Sequence, residues 1–216
     1  MIAVLKGDIT SSRKSENPEI WLHPLKKLLG GWGKNPQQWE LVWGDFFQLE
    51  ITDPAQALRK ALQIKALIRS VDTGTGKKLN PFDVRLSIGI GTKTYSGERI
   101  SESNGTAFHN SGDVFENLKR EKVSLAIKSP WADFDEEMNL YLRLATLSMD
   151  SWTISSAELF SIILEHPDLN QEEIGRRLKI KQNSVSGRWS RAHAEEILAV
   201  EERYQKKIKT FLKADP

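Results

Sequence analysis

Two aspartates near the start of the chain are the residues best suited to holding a cation. Asp8 closes the run Ile2-Ala3-Val4-Leu5-Lys6-Gly7, and Asp45 sits in a Gly44-Asp45 step between the runs Trp39 to Trp43 and Phe46 to Ile51. If those two runs form a hairpin whose return strand lies beside the first, both carboxylates reach one edge of one sheet. Carboxylates a few ångströms apart repel, so one stays protonated unless a cation lies between them. Mg²⁺ or Mn²⁺ suits such hard oxygen ligands, with the Ile9 main chain as a further donor. Either ion leaves room in its shell for the oxygens of a phosphate-bearing small molecule. On this reading Asp8→Asn stabilises the free protein and abolishes any stabilisation by the ion. Gly-Asp is also ordinary hairpin chemistry, so two unrelated turn residues are the alternative.

The second group is basic. From Ile174 to Arg191 the chain carries Arg176, Arg177, Lys179, Lys181, Arg188 and Arg191 and no acid. Ile174, Leu178, Ile180, Val185 and Trp189 fall where two helices joined by a short turn share a core, and Gly175 is small where they cross. Lys179 takes a turn position that favours Gly, at a cost of about 1 kcal/mol if its backbone is left-handed. The set Arg176, Arg177, Lys181, Arg188 and Arg191 suits DNA phosphates. Gln182, Asn183, Ser184 and Ser186 open the second helix and suit groove edges. A helix pair kept for protein contact, its charges merely solvated, is the alternative.

The elements that must position these groups follow from periodicity. Ile2 to Gly7 reads as a strand, and a helix from Pro18 carries Trp21, Leu22, Leu25, Leu28 and Leu29 at helical spacing before Gly30-Gly31 stops it. The hairpin 38–52 is followed by Asp53-Pro54, a helix start, and a helix burying Leu58, Ala61, Leu62 and Ile68. Val84 to Gly91 is a strand, Thr106 to Lys119 a helix and Val123 to Lys128 the last strand. The order β-α-β-β-α-β followed by α-β is the split βαβ arrangement, ferredoxin-like with an appended unit. In it the first strand pairs antiparallel with the third, which brings Asp8 towards Asp45. After Pro130 nothing resembles a strand. Residues 133–149 read as a connecting helix, Ser155-Ser156-Ala157-Glu158 as a Ser-x-x-Glu cap, and Asn170 as the cap of the helix after Pro167. The expectation is α+β over 1–130 and an all-α helix-turn-helix domain over 131–216.

With 216 residues, 39% apolar and 28% charged, the chain has enough apolar content for a packed core. A net charge of +2 makes any nucleic-acid surface a local one. The absence of cysteine removes disulfides, thiolate metal sites and a cysteine nucleophile. His23, His109, His166 and His193 share no metal-ligand spacing. Gly74 to Lys78 lacks the spacing, the hydroxyl residue and the following helix of a phosphate loop. No signal region or membrane-length apolar run is evident, so a cytoplasmic location is expected. The last helix, 193–213, carries Ile197, Val200, Tyr204, Ile208 and Phe211 in a seam that suits its own domain or a homodimer.

Residues 1–128 resemble the class III nucleotidyl cyclases, in which an Asp-Ile closing strand one and a Gly-Asp in the following hairpin bind two metal ions and a nucleoside triphosphate. Asp8-Ile9 and Gly44-Asp45 match those motifs. The resemblance breaks at Leu41, where adenylate cyclases place a purine-selecting lysine. It breaks again at His109 and Asp113, where the family places an asparagine and a phosphate-stabilising arginine. An acid there repels a triphosphate. The resemblance therefore implies the fold without the catalysis. The whole chain resembles the SatD family of bacterial proteins, which join such a domain to a helix-turn-helix. The residues behind this are Met1 to Asp8, Trp43 to Ile51, Val84 to Gly91, Ser101 to Gly105 and Ala126 to Trp131.

The combined expectation is a homodimeric transcriptional regulator with a metal- and ligand-binding sheet domain and a DNA-binding helical one. Two rivals stand beside it: a nucleotide-converting enzyme with a catalytic cation from Lys6 or Arg13, and a scaffold using both folds for protein contact.

Overall fold

A computed structural model describes residues 1–10, 12, 17–74 and 80–214. Residues 11, 13–16, 75–79, 215 and 216 lie outside the described residues, among them Arg13 and most of the Gly74 to Lys78 stretch. The chain is α+β, with a five-stranded mixed sheet and, among the described residues, eight α-helices. No described helix is long and apolar enough to cross a membrane.

The strands are β1 (Ile2–Thr10), β2 (Trp39–Trp43), β3 (Phe46–Ile51), β4 (Asp83–Gly91) and β5 (Leu125–Lys128), in the order β2-β3-β1-β4-β5. β1 is central, antiparallel to both β3 and β4, and β4 runs parallel to β5. Alternation along β1 sends Ala3, Leu5 and Ile9 to one face and Val4, Lys6 and Asp8 to the other. The first face joins the apolar stripes of α1 (Glu19–Gly30) and α2 (Ala57–Arg69) in the main core. The second face carries α3 (Thr106–Glu121), whose close approach depends on glycine. A Cβ on Gly89 would lie 2.2 Å from Ser111 N, and one on Gly91 2.3 Å from Thr106 Oγ1. Because α3 lies over β4 and part of β1, the β1–β3–β2 side of this face is left as an open floor.

The remaining helices are α4 (Ala132–Met149), α5 (Ile154–Glu165), α6 (Gln171–Leu178), α7 (Gln182–Ala192) and α8 (Ala194–Ala214). α4 covers the free edge of β5. Asn139 donates to Ile127 O and accepts from Ile127 N, each at 2.9 Å, so its amide satisfies backbone groups that an edge leaves open. α5 packs on α2, and α8 on α4. One apolar core runs without a break from Leu5 and Leu86 in the sheet through Leu58 and Ile68 to Phe160, Val185 and Ile208.

Two local expectations change. The cap of α5 is Thr153, whose side chain accepts from Ser156 N at 3.2 Å. Ser155 therefore lies inside the helix, and Glu158 faces Arg188 instead of closing a capping box. The seam of α8 packs largely within the chain. Tyr204, 1% exposed, donates its hydroxyl to Pro54 O at 2.7 Å, and Phe211 stacks beside Trp131 and Phe134 with centroids 5.3 and 5.5 Å away. Ile197 and Val200 of the same seam line a groove with Leu144 and Leu147 of α4, which are exposed together with Leu140.

Candidate functional site

The open floor is a cleft of about 1180 Å³ between α3 and the β2–β3 hairpin. β1 contributes Lys6, Asp8 and Thr10, β3 Phe46 and Gln48, and β4 Arg85. Gly112, Phe115, Glu116 and Lys119 of α3 form one wall, and Val42, Trp43 and Asp45 of the hairpin the other. Both aspartates singled out from the sequence therefore line one cleft. Asp8 stands opposite Phe46 in the β1–β3 register, and Ile9 N donates to the main-chain oxygen of Asp45 at 3.1 Å.

Their partners differ from the expectation. Asp8 Oδ2 accepts from Arg85 Nη2 across the β1–β4 pair, where Asp8 and Arg85 are in register. Asp45 Oδ2 accepts from the Ser12 hydroxyl at 2.5 Å. Among the described residues no group of three or more His, Cys, Asp or Glu converges where an ion would sit. In this arrangement Asp8 has a guanidinium beside it in place of a bare carboxylate facing Asp45. Repulsion between two bare carboxylates is then not the governing term, because one of them has a cation built in.

Lys6 is the less satisfied cation. Its ammonium makes one long hydrogen bond, to Phe108 O at 3.4 Å, and no ion pair among the described residues. Burial holds its pKa below the ordinary lysine value, with Glu116 and then Asp113 acting in the opposite sense. Among the described residues the Nε of Arg85 is enclosed without a hydrogen-bond partner. Above the floor runs a chain of rings. Trp43, 78% exposed, lies 6.2 Å from Phe46, which meets Phe115 edge-on at 5.2 Å. Arg85 and the rings went unnoticed in the sequence. The signal was present in the alternation Arg85, Ser87, Gly89, Gly91, a strand face without a single aliphatic side chain.

The positions where the cyclase resemblance breaks do not line the cleft. Leu41 packs against the main core on the opposite sheet face. His109 donates to Asn104 Oδ1 at 2.7 Å. Asp113 pairs with Lys128 at 2.7 Å, and that hydrogen bond pulls its pKa below the usual carboxylate range.

In the helical half, α6 and α7 are joined by Lys179, Ile180 and Lys181. Asn170 and Glu173 cap α6 reciprocally, at 3.0 and 2.9 Å. Lys179 has φ 54°, the left-handed conformation considered above. A Cβ on Gly175 would lie 2.8 Å from Ile180 O, so the helix crossing needs glycine there. Val185 is fully buried, and Gln182, Asn183, Ser184 and Ser186 are exposed on α7. Arg176, Arg177, Lys181 and Arg191 are exposed, and Arg177 also donates to His166 Nε2 at 2.8 Å. Arg188 is different. It is only 20% exposed and pairs with Glu158 at 3.4 Å, tying α7 to α5. No protein-family model matches the chain, and no curated protein is significantly similar to it.

Proposed function

We propose that this chain is a DNA-binding regulator in which α6 and α7 act as a helix-turn-helix. Its sheet half, of the ferredoxin-like and nucleotidyl-cyclase-like kind, holds a small ligand in the cleft without converting it. The observation that carries this reading is the surface of α7. Four polar side chains, Gln182, Asn183, Ser184 and Ser186, stand exposed on a helix whose buried side is pinned by Val185. Exposed Arg176, Arg177, Lys181 and Arg191 surround them. Short polar groups at a helix start flanked by cations match what a major groove and its phosphates present. Arg188, beside Asn183, Ser184 and Arg191, also pairs with Glu158 of α5. The converting-enzyme rival keeps one of its two named cations in the cleft, Lys6, while Arg13 lies outside the described residues.

The test is binding of the full chain to genomic DNA fragments across a salt series. Arg191→Ala should lower the slope of log K against log salt by about 0.9, the value of one lost phosphate contact. Gln182→Ala should weaken binding to the preferred fragment with the slope unchanged. A full chain that shows no salt-dependent affinity for any fragment would return the helix pair to the scaffold reading.

A further inference from the structure

The cleft was expected to need a metal, and its charge arrangement argues otherwise. Asp8 already carries a cation, the Arg85 guanidinium, delivered by the neighbouring strand. Asp45 is occupied by a hydroxyl. Among the described residues Lys6, on the cleft floor, makes no ion pair; its ammonium has one hydrogen bond of 3.4 Å, and the carboxylates of Glu116 and Asp113 on α3 act on it only from a distance. A half-buried ammonium so poorly satisfied is stabilised by any anion that reaches it, and a charge-assisted bond there is stronger than one at the surface. The cleft wall adds a second preference. Trp43, Phe46 and Phe115 form a run of rings, and Trp43 is 78% exposed where most tryptophans find cover. Lys119 stands exposed at the rim on α3, one turn beyond Phe115 and Glu116.

We propose that the cleft is a metal-independent site for a small aromatic anion, its charged group on Lys6 and its ring against Trp43, Phe46 and Phe115. Arg85 does the work that a divalent ion would otherwise do: it neutralises Asp8 so that an anion can approach. Asp8 is thus a counter-charge to the chain's own Arg85, and Asp45 the acceptor of a hydroxyl, in place of ligands to an added ion. Such a ligand combines one phosphate or carboxylate group with a flat apolar ring, and neither part alone satisfies both walls. The inference rests on the reading of the cleft as a ligand site and is independent of whether α7 binds DNA.

The test is titration calorimetry of the full chain with 1-naphthyl phosphate in EDTA, beside inorganic phosphate and 1-naphthol as the two halves. Saturable binding of the whole probe in EDTA is expected, with each half weaker by about tenfold or more. Lys6→Gln should weaken the probe to the level of naphthol. Trp43→Ala, at an exposed position that leaves the core untouched, should weaken it towards inorganic phosphate. Added Mg²⁺ should change nothing. Binding that appears only with Mg²⁺ and is lost in Asp45→Asn would overturn the proposal in favour of a two-aspartate metal site. Absence of saturable binding, or affinity unchanged in both Lys6→Gln and Trp43→Ala, would overturn it outright. DNA affinity measured on the same variants separates a failed ligand site from a failed DNA reading.

Discussion

Asp8 shows how one unseen partner reverses the sign of an electrostatic argument. From the sequence, Asp8 faces Asp45 and removing its charge relieves repulsion. In the fold its nearest ion is Arg85, 77 residues along the chain and directly across the β1–β4 register. Both side chains are largely enclosed, at 20% and 29% exposure. Asp8→Asn would leave the guanidinium with a weaker acceptor beside an Nε that already lacks one. The variant should therefore be less stable than the wild type, by about 1–3 kcal/mol in a urea melt. A more stable Asp8→Asn protein would restore the repulsion argument. The position of Asp8 was legible because strand alternation and an apolar run fix where a strand ends. Its charge balance was not, because pairing register decides which distant residue sits opposite.

Single elements were more readable, since their signals are local. Asn170 marks the start of α6, and the structure adds to its cap a reciprocal bond with Glu173. The start of α5 misled, because Ser155 and Glu158 imitate a cap while Thr153, two residues earlier, makes it. The seam of α8 was read correctly as apolar, but periodicity does not say which surface it meets. The turn between α6 and α7 carries a paired expectation. Lys179 holds a left-handed backbone, φ 54°, that glycine adopts without penalty, so Lys179→Gly should stabilise the protein by up to about 1 kcal/mol. Gly175→Ala should act in reverse, because its new methyl meets the Ile180 carbonyl, a backbone atom that cannot swing away. Thermal melts of the two variants should move in opposite directions. Shifts of the same sign would mean that the turn is not the tight crossing described.

At the scale of the whole molecule, α2 joins the sheet to the helical half. Lys65, 1% exposed, donates to Asp83 at the start of β4 and to Asp150 at the end of α4, both at 2.6 Å. Its neighbour one turn on, Arg69, donates to Asp83 and to the main-chain oxygen of Trp152. Arg59, at the other end of the helix, donates to Leu164 O at 2.8 Å. These bonds lie along a core that does not stop at residue 130, so strand and helix texture in the sequence changes where the apolar packing does not. Any coupling between cleft and α7 has this route available, from the sheet through α2 to α5 and on to α7. The structure accordingly predicts that the two halves unfold together. Lys65→Met should cost about 1–3 kcal/mol, since it strips two carboxylates of a shared partner while Asp83 keeps Arg69 and Asp150 stays partly solvated. The loss should appear as one lowered transition, with tryptophan fluorescence and far-ultraviolet dichroism melting at the same temperature. If the variant instead melts in two steps, with the helices lost before the sheet, the halves are separable units and the α2 bonds only a clasp between them.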